Sequence, residues 1–275
     1  MTLLQGRNAE TTQQNIDDIT VPVETDVFAK HPNAAFFVGV VATPQGVTNR
    51  ELYRAAARLR YNVYVKEKGL MHPNLRTRMT QHESDSDDPR SVHFVVVKNN
   101  GPDKQARVVG GTRLIVKRHE RDSLPVEKLF PEAFALGGAA VNGSEASRFI
   151  ARSDDKREQH TIARALIRAL AIRTAVDNEQ PVYAVADRLL LGMFRMDKVH
   201  YESLSEPRVL DEYMTDQYSL PNSAVSLNAH AVIATMTGPD GPAGVSDMYH
   251  GIFANQGVGY FDANMAPLSS ATVRN

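Results

Sequence analysis

The alternation of strand-like and helix-like segments is the sequence feature that most restricts how this chain can fold. Short apolar runs between turn residues indicate strands, and apolar residues repeated every three to four positions indicate amphipathic helices. The predicted strands are residues 35–42, 92–97, 107–116, 147–151, 182–186, 201–204 and 229–236. The predicted helices are residues 48–67, 159–178 and 187–197, with helical turns within 123–136 and a polar loop over 74–90. This order predicts the α/β (α+β) class, with one mixed sheet flanked by helices on both faces.

The composition of the chain changes twice along its length. Residues 1–34 are rich in Thr, Gln, Asn and Asp, which predicts a flexible N-terminal arm or a segment that packs late on the core. Residues 35–237 hold the predicted strands and helices and are expected to form a single domain. Residues 238–275 are rich in Gly, Pro, Ala and Asn. This tail is expected to be partly disordered or to dock through its apolar residues.

Several properties of the 275 residues argue against broad classes of protein. The absence of cysteine removes disulfides, iron–sulfur clusters and a cysteine nucleophile. A net charge of −1 gives no reason to expect nucleic acid as a partner. No secretory signal and no apolar window long enough to span a membrane are visible, so a cytoplasmic protein is expected. The scattered histidines lack the spacing of a zinc site, and no metal is expected.

A run of carboxylates lies between the first predicted helix and the second predicted strand. It consists of Glu83, Asp85, Asp87 and Asp88. Carboxylates this close repel one another and need cations, a metal or water around them. A calcium loop, a solvated acidic loop and a salt-bridged functional loop are the three interpretations, although the Gly and the final Glu of an EF-hand are not in place.

Three arginines lie on segments expected to adjoin this run. Arg113 lies in an otherwise apolar strand, where a charge is costly unless it is paired. Arg60 lies on the first predicted helix, and Arg148 lies on the fourth predicted strand. Because a buried ion-pair network is weak evidence for stability, a rigid polar site explains the set better.

The segment Glu145–Phe149 could carry chemistry at the start of a strand. Strand alternation predicts that Glu145, Ser147 and Phe149 share one face and that Ala146 and Arg148 share the other. A glutamate and a serine side by side can hold an amine or a water molecule. The structural alternative is the end of a surface strand.

The order of four motifs resembles the acyl-homoserine-lactone (autoinducer) synthases and their relatives, the long-chain N-acyl amino acid synthases. The motifs are LRYNVYV at residues 59–65, ESDSDD at 83–88, GTRL at 111–114 and EASRF at 145–149. The resemblance spans about residues 36–236. It implies a GNAT-type acyltransferase fold with a V-shaped sheet, and transfer of a fatty acyl group from acyl carrier protein to an amine. The acceptor is S-adenosylmethionine in the autoinducer synthases, which serve quorum sensing, and an amino acid in the relatives.

The resemblance also assigns residues. The family positions fall on Arg60, Glu83, Asp85, Arg113, Glu145, Ser147 and Arg148, with either Asp87 or Asp88 as the third acid. Tyr64 and Leu70 depart from the autoinducer synthases, which usually carry Phe and Trp there. This departure shifts the expected acceptor from S-adenosylmethionine to an amino acid. No tightly bound cofactor is expected.

The chemistry of amide formation suggests roles for these residues. We expect Glu145 to remove the amine proton and Ser147 to position the thioester or the leaving thiol. The arginines would order the acids, and one could bind an acceptor carboxylate. A module that binds an acyl ligand without turnover and a metal-stabilised structural protein are the competing hypotheses.

The acyl chain and its donor need surfaces of their own. Predicted lining residues of an acyl pocket are Ile162, Leu166, Leu170, Met193 and Phe194, although each could be ordinary core. Residues 152–160 contain no Gly and two Asp, which disfavours a coenzyme A pyrophosphate and favours a carrier protein. Residues 148–173 hold seven Lys or Arg against three Asp or Glu, so an acidic carrier protein is expected to dock there. The predicted docking residues are Arg152, Lys156, Arg157, Arg164 and Arg168.

Overall fold

The computed structural model describes residues 19–24, 26–28, 33–71, 74–101, 105–136, 138–178, 181–211, 215, 219–237 and 258–261. Most of the expected N-terminal arm and of the expected C-terminal tail lies outside the described residues. Two short pieces of these segments belong to the sheet, as the strand pairs below show.

The described strands form one mixed sheet in the order β10-β2-β4-β5-β6-β7-β9-β8, with β1 paired to β5 and β3 paired to β2. The strands are β1 Val21–Val23, β2 Phe36–Thr43, β3 Gly46–Val47, β4 Ser91–Lys98, β5 Ala106–Val116, β6 Ser144–Ala151, β7 Val182–Asp187, β8 Tyr201–Ser203, β9 Asn222–Leu227 and β10 Val258–Phe261. Strands β6 and β7 are parallel, and the other pairs are antiparallel. The mixed α/β sheet expected from the sequence is confirmed.

Helices cover both faces of this sheet. They are α1 Arg50–Arg60, continued by a π-helix Tyr61–Glu67, then α2 Leu75–Thr80, α3 Pro125–Leu129, α4 Lys156–Val176, α5 Arg188–Met196 and α6 Ala229–Thr237. Short 3-10 turns occupy Asp88–Arg90 and Pro131–Phe134. The single helix predicted over residues 48–67 is thus an α-helix followed by a π-helical segment.

Two helices form the main layers on either side of the sheet. Helix α1 begins after Asn49, whose side chain accepts the Leu52 amide at 3.0 Å, and it buries Leu59 against the face that carries Val95. Helix α4 begins after Asp155, whose side chain accepts the Arg157 amide at 2.7 Å. The apolar stripe of α4 packs against the opposite face of the sheet.

The parallel strands β6 and β7 separate along their length. Residues 144–146 pair with residues 182–184, and the described part of the chain shows no further pairs between the two strands. Beyond this point β6 pairs with β5, and β7 pairs with β9. The separation produces the V-shaped opening in the sheet that the sequence resemblance implies.

Two secondary-structure predictions were wrong. Residues 229–236, predicted as a strand, belong to helix α6, and the strand is β9 just before it. An apolar run of this length does not distinguish a strand from a buried helix by periodicity, and here the Asn228 side chain accepts the Ala231 amide at 3.1 Å, as a helix cap does. The predicted loop 74–90 contains helix α2, which Asn74 caps by accepting the Thr77 amide at 2.8 Å.

Candidate active site

Arg113 lies at the centre of a buried ion-pair network between β5 and the acidic run. The residue is 1% exposed. Its Nη1 donates to Asp88 Oδ1 at 2.6 Å, and its Nη2 donates to Asp85 Oδ2 at 2.7 Å. Its Nε donates to Ser147 Oγ at 2.9 Å. A single planar guanidinium therefore connects two carboxylates to the serine predicted to be catalytic.

Two further arginines close the network. Arg60 binds Glu83 and donates to Asp88 Oδ1 at 2.8 Å. Arg148 binds Glu83 Oε1 at 3.1 Å and Asp85 Oδ2 at 2.9 Å. Each of the three carboxylates contacts two arginines, so the acidic run is a salt-bridged loop. Among the described residues, no group of His, Cys, Asp and Glu could hold a metal ion.

The third acid of the network is Asp88. Asp87 binds Arg90 at 2.7 Å instead, outside the network. The difference arises because Asp88 begins a 3-10 turn, which directs the two neighbouring carboxylates apart. Asp88 rather than Asp87 is therefore the acid that joins the arginine network, and which of the two takes the family's third position stays a prediction.

The network shifts the pKa values of its members. Burial alone would raise the pKa of Asp85, but hydrogen bonds and charge from Arg113 lower it well below its usual range. Arg60 and Arg113 lower the pKa of Asp88 in the same way. Beneath the network, burial lowers the pKa of His93 to about 4. His93 is therefore neutral near pH 7.

A β-bulge in β6 changes which side chains meet. Arg148 has a φ of 56°, and the register with β5 shifts between Gly111 and Arg113. After the bulge, Phe149 packs with the α4 side of the core and Ile150 with the α1 side. The predicted shared face of Ser147 and Phe149 was therefore wrong, and so was the separation of Ser147 from Arg148. An inserted bulge residue reverses the alternation of every residue that follows.

Glu145 lies two residues before Ser147, 2% exposed, on the wall of a cavity. Its Oε2 accepts the Val126 amide at 2.7 Å. Burial raises the pKa of Glu145 to about 8, against the lowering effects of the Val126 amide and of Arg113 and Arg148. A carboxylate in this state can accept a proton near neutral pH, which few carboxylates in water can do.

The cavity of about 560 Å³ lies where β6 and β7 separate. Glu145, Ser147, Arg148 and Phe149 line one part of it. Apolar residues of α4, α5, α6, β7 and β9 line much of the rest: Ala163, Ile167, Leu170, Ala171, Val182, Ala184, Leu190, Met193, Phe194, Leu227, Ala229 and Val232. The geometry is that of a polar reacting centre joined to an apolar pocket.

Of the five predicted acyl-pocket residues, Leu170, Met193 and Phe194 line the cavity. Ile162 and Leu166 do not, because they are fully buried in the core. A Cβ on Gly110 of β5 would approach Ile162 Cγ2 to 2.8 Å, so Ile162 packs tightly on the sheet. The α4 residues that line the cavity include Ala163, Ile167, Leu170 and Ala171. They form the stripe next to the one that contains Ile162 and Leu166.

Tyr64 connects the π-helix to the open edge of β6. Its hydroxyl donates to the Phe149 carbonyl at 3.1 Å, and the Arg148 guanidinium lies 5.5 Å from its ring centre. Lys68, whose Nζ lies 5.7 Å from the same ring centre, also lines the cavity. Sequence reasoning missed Lys68 because a single lysine after a helix carries no pattern.

The predicted docking arginines are partly neutralised. Arg152 binds Glu67, and Arg164 Nε lies 3.5 Å from Asp197 Oδ1. Lys156 donates to Gln159 at 3.3 Å, and Arg157 is exposed. Burial and the charge of Arg164 lower the pKa of Arg168. The positive surface is smaller than the sequence count suggests, and its role as a docking site stays a prediction.

None of the described helices has the length and apolar character needed to cross a membrane.

The model of the family "N-acyl amino acid synthase FeeM" matches residues 55–225, which is more than half of the chain. None of the curated proteins matches the chain.

Solved structures share the fold at low sequence identity. The AHL synthase LasI is 15% identical, with 74% of this chain and 96% of that chain covered and a TM-score of 0.57. TofI, solved in a ternary complex with an inhibitor and MTA, is 20% identical over 73% and 95%, with a TM-score of 0.53. BjaI, a CoA-dependent acyl-homoserine lactone synthase solved with MTA, is 19% identical over 73% and 87%, with a TM-score of 0.52. These similarities establish the fold.

Proposed function

The chain belongs to the N-acyl amino acid synthase family and is an acyltransferase, and we propose that it moves a fatty acyl group from acyl carrier protein to the amine of a small amino-acid-type acceptor. The observation that carries this proposal is the position of Glu145. Glu145 is buried and lines the largely apolar cavity, two residues from the arginine-bound Ser147. A base, a hydrogen-bond donor and an apolar pocket are what amide formation from a thioester requires.

Glu145 acts as the general base. The acceptor amine attacks the thioester carbonyl, its nitrogen loses a proton, and the carbon–sulfur bond breaks to release a thiolate, which then takes a proton from Glu145 or from water to give the thiol. Glu145 takes the proton directly or through one water molecule. Its pKa of about 8 matches this task, because a base is most effective when its pKa lies near the working pH.

Ser147 stabilises the oxyanion that forms on the carbonyl oxygen. The Ser147 Oγ accepts a hydrogen bond from Arg113 Nε, so its own hydroxyl hydrogen is directed elsewhere and can donate into the cavity. Arg113 is held in turn by Asp85 and Asp88. Preorganised donors of this kind lower the barrier without reorganising during the reaction.

The acyl chain occupies the apolar part of the cavity. Leu170, Met193 and Phe194, together with small residues such as Ala163 and Ala171, give it a smooth apolar lining. A chain in this pocket places its thioester carbon at the polar end, beside Glu145 and Ser147. A cavity left only by imperfect packing would not be expected to have Glu145 and Ser147 in its lining.

A carrier protein is the proposed donor, and the enzyme is proposed to work in the cytoplasm. Helix α4 begins with Asp155 as its cap, and the segment before it contains no glycine. A second carboxylate, Asp154, lies beside this helix start, which disfavours a coenzyme A pyrophosphate. One structural neighbour, BjaI, is described as CoA-dependent, so both donors belong in the test.

S-adenosylmethionine is the alternative acceptor, which would make the protein a synthase of quorum-sensing signals. BjaI has been solved with SAM and isopentyl-CoA. The Tyr64 hydroxyl, bound to the Phe149 carbonyl, favours an amino acid instead. An autoinducer synthase usually carries a phenylalanine there, which cannot make this bond.

The test supplies purified protein with acyl-acyl carrier protein or acyl-coenzyme A, each with mixed amino acids or with S-adenosylmethionine. Mass spectrometry identifies the product, and free thiol is measured in parallel. We expect an N-acyl amino acid from the carrier-protein arm. An acyl-homoserine lactone would establish the alternative acceptor, and bound lipid without thiol release in any arm would indicate an acyl-binding module.

A further inference from the structure

An ion pair outside the arginine network, between a buried lysine and a partly buried glutamate, lies next to the Val126 amide that contacts Glu145. Lys117, which directly follows β5, is 4% exposed, and its Nζ lies 3.0 Å from Glu127 Oε1 and 3.3 Å from Oε2. Glu127 belongs to the short helix α3, far from the acidic run in sequence. The mechanism proposed above uses neither residue. Because the lysine of this pair is buried, its charge depends on the partner, and a pair of this kind calls for a specific explanation.

The Glu127 carboxylate holds both ends of the segment that contains it. Its Oε2 accepts the Leu124 amide at 2.7 Å, and its Oε1 accepts the Ala139 amide at 2.8 Å. The first bond is one half of a capping box, in which the third helical residue reaches back to the cap. Burial alone would raise the pKa of Glu127, but these two amides and Lys117 bring it below its usual value. The carboxylate is therefore ionised at neutral pH, and each of its oxygens accepts a hydrogen bond from a backbone amide.

Gly138 shows how closely the segment is packed around this carboxylate. Its φ is +74°, and a Cβ there would lie 2.8 Å from Glu127 Oε1 and 3.6 Å from Lys117 Nζ. Only glycine fits this position without strain. The pair and the returning chain thus form one tightly packed unit.

This unit determines where the amide of Val126 points. Val126 is the residue before Glu127, and its N–H is one of the first amides of helix α3, which have no acceptor within the helix. Pro125 before it has no N–H to offer. The Val126 amide instead donates to Glu145 Oε2 at 2.7 Å. If the segment that contains Val126 moved, its hydrogen bond to Glu145 would lengthen, while the β6 residues that line the cavity would keep their positions.

We propose that the Lys117–Glu127 pair is a positioning device that holds the Val126 amide on the Glu145 carboxylate. The proposal rests on the proposed function in one respect: the hydrogen bond affects catalysis only if Glu145 is the general base. A hydrogen bond to the ionised carboxylate favours the base form, and the pair keeps that bond short while the cavity fills and empties.

Other charged and titratable groups also act on Glu145. Arg113 on β5 and Arg148 on β6 favour its ionised form, and Asp87 in the acidic run opposes it. Tyr183 of β7 lies opposite Glu145 in the strand register. Neither Glu127 nor Lys117 is among the leading charges that shift the pKa of Glu145, so we expect a change at Glu127 to act chiefly through the Val126 amide.

The test measures the titration of Glu145 in Glu127→Gln. The protonated carboxyl has a C=O stretching band in the infrared, assigned by its loss in Glu145→Gln, so the measurement needs no turnover. The wild type should titrate with a midpoint near 8. We expect the midpoint of Glu127→Gln to rise by about one pH unit, because one hydrogen bond to the charged form is weakened.

The pH dependence of turnover provides a second readout. The acid limb of kcat/KM should move upward with the midpoint, so Glu127→Gln should lose about tenfold in rate at pH 7 and recover most of it at pH 9.5. Lys117→Met should behave likewise, and Lys117→Arg, which keeps the charge, should retain the wild-type profile. A uniform rate loss at all pH values with an unmoved midpoint would show a merely structural role and overturn the proposal.

A matched control separates positioning from stability. Lys98 of β4 binds Glu158 of α4 at 2.8 Å, outside the α3 segment. Lys98→Met should lower the melting temperature and leave the Glu145 midpoint unchanged. If Glu145→Gln leaves amide formation intact, Glu145 is not the general base. The shift of the Glu145 midpoint in Glu127→Gln still tests whether the ion pair positions the Val126 amide. If the base role holds and the midpoint does not move, only the positioning role fails.

Discussion

Arg113 donates through Nε to Ser147 Oγ at 2.9 Å, and this bond joins the ion-pair network to the cavity. The two terminal nitrogens of the same guanidinium bind Asp85 and Asp88. The network thereby holds the serine that faces the proposed reacting carbonyl. A buried arrangement of three arginines and three carboxylates is costly in stability, and we propose that its use here is to keep one hydroxyl in place.

Removal of Arg113 tests the energetic side of this relationship. Arg113→Met leaves Asp85 and Asp88 each with one arginine in a buried environment, and we expect a loss of ~3–5 kcal/mol in the free energy of unfolding. Arg113→Lys keeps the charge and should lose less, although it cannot make the bidentate contact. Denaturant unfolding measures both. A loss below about 1 kcal/mol for Arg113→Met would mean that the network is not coupled to the fold.

The acid dependence of stability follows from the lowered pKa values of Asp85 and Asp88. Their contribution is fully present above the unfolded-state pKa of about 4 and is lost as the pH falls toward their folded-state values. The stability difference between wild type and Arg113→Met should therefore be constant above about pH 5 and shrink below about pH 4. Unfolding curves from pH 2.5 to 7 measure it, and a difference independent of pH would contradict the assignment.

The cavity wall predicts a change in acyl-chain preference. Ala171 of α4 lines the cavity, so Ala171→Leu should reduce its volume and shift turnover toward shorter acyl chains. Ala234 of α6 is exposed, and Ala234→Leu is the matched control with no expected effect. Competition between donors of different chain length measures the shift. Unchanged selectivity in Ala171→Leu would place the chain elsewhere.

Tyr64 predicts an effect on the acceptor. Tyr64→Phe removes the hydrogen bond to the Phe149 carbonyl and should cost ~0.5–1.5 kcal/mol in stability. We expect the KM of the amine acceptor to rise several-fold and the KM of the acyl donor to change little. Tyr201→Phe, whose hydroxyl binds Arg195, is the control. Equal changes in both KM values would remove Tyr64 from acceptor choice.

The network could be predicted from sequence because each part violates a local rule. A lone arginine in an apolar strand needs partners, and four acids within six residues need cations, so Arg113 and the acidic run imply each other. The mixed sheet was predicted from strands that alternate with helices, together with two consecutive strands within residues 92–116. The choice of Asp88 over Asp87 needed the backbone of the 3-10 turn.

Other parts of the site depend on geometry that no local pattern encodes. The bulge at Arg148 has no sequence signature, because the residue with positive φ is an arginine rather than a glycine. The contact between Val126 and Glu145 joins residues 19 positions apart through a loop. The division of α4 between core and cavity depends on where β6 and β7 separate, so Ile162 and Leu170 have the same pattern and different surroundings.

The pH profile of Glu145→Gln tests the central claim most directly. Single-turnover thiol release from acyl-acyl carrier protein, with the amino acid acceptor, is measured for wild type and variant from pH 6 to 9.5, and circular dichroism confirms the fold. The account predicts a wild-type rate that rises with ionisation of a group near pH 8, and a variant slower by about 10²–10⁴-fold that lacks this limb. A variant with the wild-type rate and profile would contradict the assignment of Glu145 as the base.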